Sequence, residues 1–194
     1  MTQIMLKNIP MAFPALAEPQ AFGDGEPAYG AKFPVKPNGE HQKQIDTAIR
    51  EVATEKWGKD ADKVLAMLIE DGKVCFVEKV YKSKKTGEPY TGFEGAHYLS
   101  ARNASSQPTV FNEYGEQLEK KGDIERKAFS GAVVNASLDI WAQDNKWGRR
   151  INCTLRGVMT TGEGTNLGGG SAPASASDFG ELAKPKADAD DLLG

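Results

Sequence analysis

SGAVVNASLDIWAQDNKWGRRINCTLRGV, residues 130–158, alternates apolar and polar side chains in two runs on either side of a polar turn. Alternation with period two marks a strand with one buried face, because successive side chains point to opposite sides of the backbone. In 132–142, Ala132, Val134, Ala136, Leu138 and Ile140 share one face, and Asn135, Ser137, Asp139 and Trp141 share the other. In the second run Ile151, Cys153 and Leu155 oppose Arg150, Asn152, Thr154 and Arg156. The spacing predicts an antiparallel hairpin with 143–148 as a longer loop. One face is core, while the other is polar yet carries a tryptophan and arginines. A wholly solvated face has no use for Trp141, so its ring either packs beneath neighbouring chain or serves a ligand. Lys146 and Trp147 at the turn, with Arg149 beside them, extend the same chemistry.

The strand signal recurs upstream. In 95–103, His97, Leu99 and Ala101 face one way and Tyr98, Ser100 and Arg102 the other. Residues 74–81 are β-branched and aromatic, with Lys79 and Tyr81 on one side and Phe76 and Val80 opposite. Further strands are expected over 29–35, over 109–111, and in a segment opened by Ile4, Leu6 and Ile9; Pro19, Gly23, Asp24, Gly25 and Pro27 mark a loop. Between these the period turns helical. Asn38 is the expected cap of a helix over 39–57, whose stripe is Ile45, Ile49, Val52, Ala53 and Trp57. Asp60 is the expected cap of a second helix carrying Val64, Leu65 and Leu68, closed by Gly72. The predicted class is mainly β (α+β), with one or two inserted helices.

The chain of 194 residues has a formal net charge of −3, all of it carried by residues 178–194, DFGELAKPKADADDLLG. Residues 162–177, rich in Gly, Ala and Ser, read as a flexible linker between a body at 1–161 and this acidic tail. An acidic tip on a leash can dock on basic partners or fold over a cationic surface of its own body. The two cysteines, Cys75 and Cys153, lie in strand-like segments and are expected as buried thiols in a reducing cytosol. No apolar run approaches the roughly twenty residues of a membrane span. His41 and His97 lack the close ligand spacing of a zinc site, and no phosphate-binding loop or nucleophile turn occurs. No catalytic residue, metal or cofactor is expected.

Between Lys73 and Arg102, Lys79, Lys82, Lys84 and Lys85 are interleaved with Tyr81, Tyr90, Phe93 and Tyr98, and 83–89 reads as a lysine-bearing hairpin tip. Planar rings that stack on unpaired bases, with bases that follow phosphates, are what a single strand requires. Five segments carry a family resemblance: EGAHYLSARN (94–103), QPTVFN (107–112), the hairpin 130–158, NIPMAFPALAEP (8–19) and AYGAKFPVKP (28–37). They resemble phage-encoded single-stranded DNA-binding proteins, small proteins with an OB-fold core and an acidic C-terminal tail. The resemblance implies an OB-fold-like five-stranded antiparallel barrel and sequence-tolerant coating of single-stranded DNA. It further implies a role in phage DNA replication or recombination within the bacterial host cytoplasm. It leaves a homodimer open. Related tails often end in an aromatic residue, whereas this one ends Asp191-Leu192-Leu193-Gly194.

The strand faces, not the resemblance, nominate the DNA contacts: Lys79, Tyr81, Lys82, Lys84, Lys85, Tyr90, Phe93, Tyr98, Arg102, Trp141, Lys146, Trp147, Arg149, Arg150 and Arg156. Asp188, Asp190, Asp191, Leu192 and Leu193 are the expected docking residues for replication and recombination proteins. The alternative is a structural adaptor, in which the body binds protein and the tail only solubilises. Quenching of tryptophan emission by an oligonucleotide separates the two.

Overall fold

In the computed structural model, residues 1–21 and 25–167 are described; the acidic tail, with Asp188, Asp190, Asp191, Leu192 and Leu193, lies outside them. The period-two pattern of the late hairpin is realised on both strands, interrupted by register shifts between Ala132 and Val134 and between Ser137 and Leu138. Strands β7 (Ala132–Asn145) and β8 (Gly148–Gly164) in the chain's final numbering pair antiparallel from Ala132↔Gly164 to Asn145↔Gly148. Pairing continues through the expected loop, leaving Lys146 and Trp147 as the turn. Gly148, at φ 98°, supplies the left-handed conformation that this tight reversal needs.

The remaining strands are β1 (Thr2–Pro10), β2 (Ala12–Gln20), β3 (Ala28–Val35), β4 (Phe76–Val77), β5 (His97–Asn103) and β6 (Thr109–Phe111). The sheet runs in the order β1-β7-β8-β5-β3-β2, with β4 added to β5 and β6 to β8. Its two ends, β1 and β2, are halves of one bent segment interrupted at Met11. There the Met11 N–H donates to Ala132 O (2.9 Å), and the Gly131 N–H donates to Met11 O (2.7 Å). The sheet therefore curls back on itself. Asn8 (φ 52°) and Phe13 (φ 51°) take left-handed backbone conformations at irregular pairing on either side of the bend.

The expected class holds, with two corrections. The described residues form eight strands rather than five, because the first strand is broken by its bend and the short β4 and β6 are added. The sheet is mixed rather than wholly antiparallel, because β5 and β6 both run parallel to β8. Counting the bent segment once leaves five long strands in the curled path.

Helices α1 (Glu40–Trp57) and α2 (Ala61–Glu70) follow β3. The α1 stripe buries Ile45, Ala48, Ile49, Val52 and Ala53 against β1 and β7, each larger side chain contributing roughly 1.5–3 kcal/mol. Gly39 rather than Asn38 caps α1. Asn38 sits at φ 58°, and its N–H donates to Gln42 Oε1 at 2.9 Å, so the helix reaches back to its own entry. Asp60 is the α2 N-cap residue but its side chain makes no capping hydrogen bond. A third helix, α3 (Lys121–Lys127), was not legible; its one buried residue, Ile124, leaves no apolar stripe.

The strand expected over 74–81 contracts to Phe76–Val77. Residues 73–75 are wedged between β8 and β5: the Ile151 N–H donates to Lys73 O, the Cys75 N–H to Ile151 O, and the Ser100 N–H to Cys75 O. Beyond Val77 the chain leaves the sheet, so the alternation of Lys79 and Tyr81 no longer describes a sheet face. At the other end, β8 runs to Gly164 and the Leu167 N–H donates to Ser130 O at 2.8 Å. The folded body thus extends through the first residues of the expected linker. Cys153 is buried and Cys75 half-buried, both as free thiols. The hydrogen bond with Cys75, and then burial, push the Cys153 thiol well above its ordinary range.

Candidate nucleic-acid interface

Four neighbouring strands, β7, β8, β5 and β3, turn one face outward. Trp141 lies opposite Asn152, Thr154 opposite Arg102, and Lys32 opposite Ser100 in their ladders. This face floors an open groove of about 720 Å³ whose lining includes Lys32, Lys73, Tyr98, Arg102, Trp141 and Arg150, with Glu26 as its one acid among the described residues. Trp141 is half-buried, and its indole Nε1 donates to Thr154 Oγ1 at 3.0 Å. That bond fixes the ring on the groove wall. Arg102 is exposed and donates to Glu26 O at 3.1 Å.

An aromatic cluster adjoins the groove through Tyr98. Tyr81 and Tyr90 stack at 5.0 Å between centroids and 24° between planes; Tyr81 lies 4.9 Å from Tyr98. Phe13 packs edge-on against Tyr90 at 5.1 Å, and Phe93 lies beneath, fully buried. Each such ring pair is worth about 0.5–1.5 kcal/mol beyond burial. Burial pushes the Tyr81 and Tyr98 phenols up, so both stay neutral in ordinary buffers. Lys32 is seated among these rings: its Nζ is 4.5 Å from the Tyr81 centroid, 5.1 Å from that of Tyr98, and donates to Ser100 Oγ at 2.8 Å. Burial, and then the nearby Arg102 guanidinium, lower this ammonium from 10.5 to about 8.

Of the nominated residues, Tyr98, Arg102, Trp141 and Arg150 meet in the groove, and Tyr81, Tyr90 and Phe93 meet in the adjoining cluster. Lys82, Lys84 and Lys85 are exposed on a small hairpin closed by the Lys82↔Pro89 bridge. Lys146 and Trp147 are exposed at the β7–β8 turn, the ammonium 5.2 Å from the indole centroid. Arg149 is tied to Asp144 at 3.1 Å, and Asp144 also accepts from Trp57 Nε1 at 2.9 Å. Two nominees lie elsewhere. Lys79 lines a hollow against α1 and α2 that includes Asp46, Asp62, Glu70 and Glu78, because the chain has left the sheet. Arg156 pairs with Asp139 at 3.6 Å in a separate hollow with Met5, Phe111 and Met159. Asp139 therefore orients Arg156.

Sequence reasoning missed Lys32, Phe13 and Lys73. Lys32 left one signal, as the sole charge in the otherwise apolar run AYGAKFPV. His97 behaves as a satisfied histidine: Nδ1 is 3.3 Å from Gln42 Oε1 and the ring is edge-on to Phe76. Among the described residues no group of three or more His, Cys, Asp or Glu could hold a metal ion, and no helix is long and apolar enough to cross a membrane.

A curled, β-rich sheet presenting an open face of rings and bases has the architecture of an oligonucleotide-binding fold. The family model described as the single-stranded DNA-binding protein of Enterobacter phage Enc34 matches residues 2–193, and the chain belongs to that family. Solved structures agree. The single-stranded DNA-binding protein of bacteriophage Enc34 in complex with single-stranded DNA is 25% identical with a TM-score of 0.68, over 86% of this chain and 89% of that one. The same phage protein without DNA in its description gives 25% identity and a TM-score of 0.66, over 91% and 88%. Its C-terminal truncation gives 25% identity and 0.63, over 84% and 88%. No curated protein matches the chain at a significant level.

Proposed function

We propose that this protein binds single-stranded DNA without sequence preference, coating and protecting it during phage DNA replication or recombination. The groove carries the reading: Trp141 and Tyr98 offer ring surfaces while Lys32, Lys73, Arg102 and Arg150 surround them with positive charge. Rings serve any base because every base has a π-face, and cations follow any phosphate, so this chemistry is tolerant of sequence. The lysines of the 82–85 tip and of the β7–β8 turn lengthen the cationic track.

The acidic tail competes with DNA for this surface and, once displaced, recruits replication proteins. Charge complementarity supports this: Asp188, Asp190 and Asp191 carry the sign opposite to that of the groove's Lys32, Lys73, Arg102 and Arg150. The test is a titration of labelled oligonucleotides of increasing length, with tryptophan emission recorded alongside. Saturable binding of mixed-sequence strands, with quenching that Trp141→Phe diminishes, is expected. Absence of binding at low salt would overturn the reading.

A further inference from the structure

We propose that Lys32 is a phosphate-contacting residue of the groove, and that its ammonium makes strand binding take up a proton. The inference rests on the nucleic-acid reading above and adds a residue and a regulation to it. Geometry carries it. Lys32 is held by β3 directly opposite Ser100 of β5, whose hydroxyl accepts from Nζ at 2.8 Å. The Tyr81 and Tyr98 rings, at 4.5 and 5.1 Å, leave the ammonium little freedom to swing away. An ammonium has three hydrogens. Among the described residues Ser100 Oγ is its one hydrogen-bond acceptor and no carboxylate pairs with it, so two hydrogens remain for an incoming anion. A strand whose bases reach Trp141 and Tyr98 brings its phosphates to that point.

The groups that face Lys32 all bear on its charge. Arg102 and Tyr98 come from β5, Tyr81 and Tyr90 from the segment after β4, and Glu26 precedes β3; Lys73, Cys75 and Arg150 line the groove beyond. Partial burial and the Arg102 guanidinium favour the neutral amine in the free protein, which places its titration near pH 8. A phosphate reverses this balance, because a neighbouring anion stabilises the charged form. Protonation and strand binding are therefore linked, each strengthening the other by the same factor. A group titrating near pH 8 is about nine-tenths charged at pH 7 and about one-tenth charged at pH 9, so affinity falls about tenfold over that interval.

The experiment uses the full chain and an oligo-dC strand, whose bases do not titrate in this range, at fixed salt. Affinities of the wild type, Lys32→Arg and Lys32→Met are measured at pH 7, 8 and 9. Calorimetry of the wild type at pH 8, in two buffers of different ionisation enthalpy, counts protons without relying on any variant. The wild type should lose about tenfold from pH 7 to 9 and take up about half a proton per strand at pH 8. Lys32→Arg should still bind with a flat profile, since a guanidinium does not titrate there. Lys32→Met should bind weakly and flatly, with its salt slope reduced by about one. A pH dependence that survives Lys32→Arg assigns the proton to another group and overturns the inference. An unchanged salt slope in Lys32→Met overturns the phosphate contact. A wild type that binds with flat affinity overturns the linkage and leaves the nucleic-acid reading standing; no binding at any pH overturns both.

Discussion

Lys32→Met should stabilise the free protein while weakening its hold on DNA. The magnitude follows from the site. Folding carries the ammonium from an ordinary value of 10.5 to about 8. At about 1.4 kcal/mol per pKa unit this sets a ceiling of about 3.5 kcal/mol of destabilisation by the charge. Lys32 opens on a solvated groove, and screening there brings the figure to about 1.5–2 kcal/mol. The two ring contacts, at 4.5 and 5.1 Å, return about 0.5 kcal/mol each. Methionine keeps an apolar stem between the rings and removes the charge, so a gain of about 0.5–1 kcal/mol at pH 7 is expected. Urea unfolding of both proteins at several pH values reads it. Between pH 8 and 10.5 the folded wild type has released a proton that the unfolded chain still holds. Its stability therefore gains on that of the variant across that window, the Cys153 thiol, which keeps in the fold a proton that the unfolded chain loses, acting against the rise equally in both proteins. The gap between the two should narrow by pH 9.5. A variant less stable than wild type at pH 7, together with no gain of the wild type on the variant from pH 8 to 9.5, would refute the idea of a strained cation.

Three further outcomes follow from the geometry. Trp141→Ala should weaken binding of a single strand by about 1–3 kcal/mol, roughly 5- to 150-fold, because one stacked base is lost; Trp147→Ala should cost much less, as its ring is 78% exposed at the turn. Equal losses in the two variants by fluorescence anisotropy would contradict the groove assignment. Deleting residues 178–194 should tighten binding at low salt, with the advantage fading as salt screens the tail. Identical salt titrations of truncated and full-length protein would remove the competition. Gly30→Ala places a Cβ 2.5 Å from Ala101 O and 3.3 Å from the Arg102 Cα, forcing β3 away from β5. A cost of about 1–3 kcal/mol is expected, seen as a lower melting temperature; an unshifted melt would mean the strands can part freely.

Legibility in the sequence tracked the range of the interactions that decide each feature. The β7–β8 hairpin could be read face by face because its alternation persists for ten or more residues and a single partner strand satisfies it. Tyr98 and Arg102 could be assigned for the same reason. Residues 74–81 have equally strong β-branched and aromatic character, yet only Phe76 and Val77 form a strand, with Val74 in an isolated bridge to Ile151. Whether a strand continues depends on a free sheet edge, and the edge used here lies between β5 and β8, far along the chain. Phe13 was illegible for a different reason, since its φ of 51° comes from an irregularity in pairing and not from the residue itself.

Lys32 is the instructive case. Its identity says only that a charge interrupts an apolar strand, and its role arises from tyrosines some fifty and more residues later. Their arrangement also changes what the rings can do. Tyr81 stacks with Tyr90 at 5.0 Å and carries the Lys32 ammonium 4.5 Å from its centroid. Tyr81 is thus engaged within the cluster and does not line the groove, whereas Tyr98, which shares Lys32 and packs on Tyr81, does. Trp141, by contrast, makes no ring contact among the described residues and is anchored only through its Nε1 bond to Thr154. The aromatic residues thus divide by what surrounds them: Tyr81 and Tyr90 pack around the Lys32 ammonium, while Tyr98 and Trp141 line the groove, where the proposed function has bases stack.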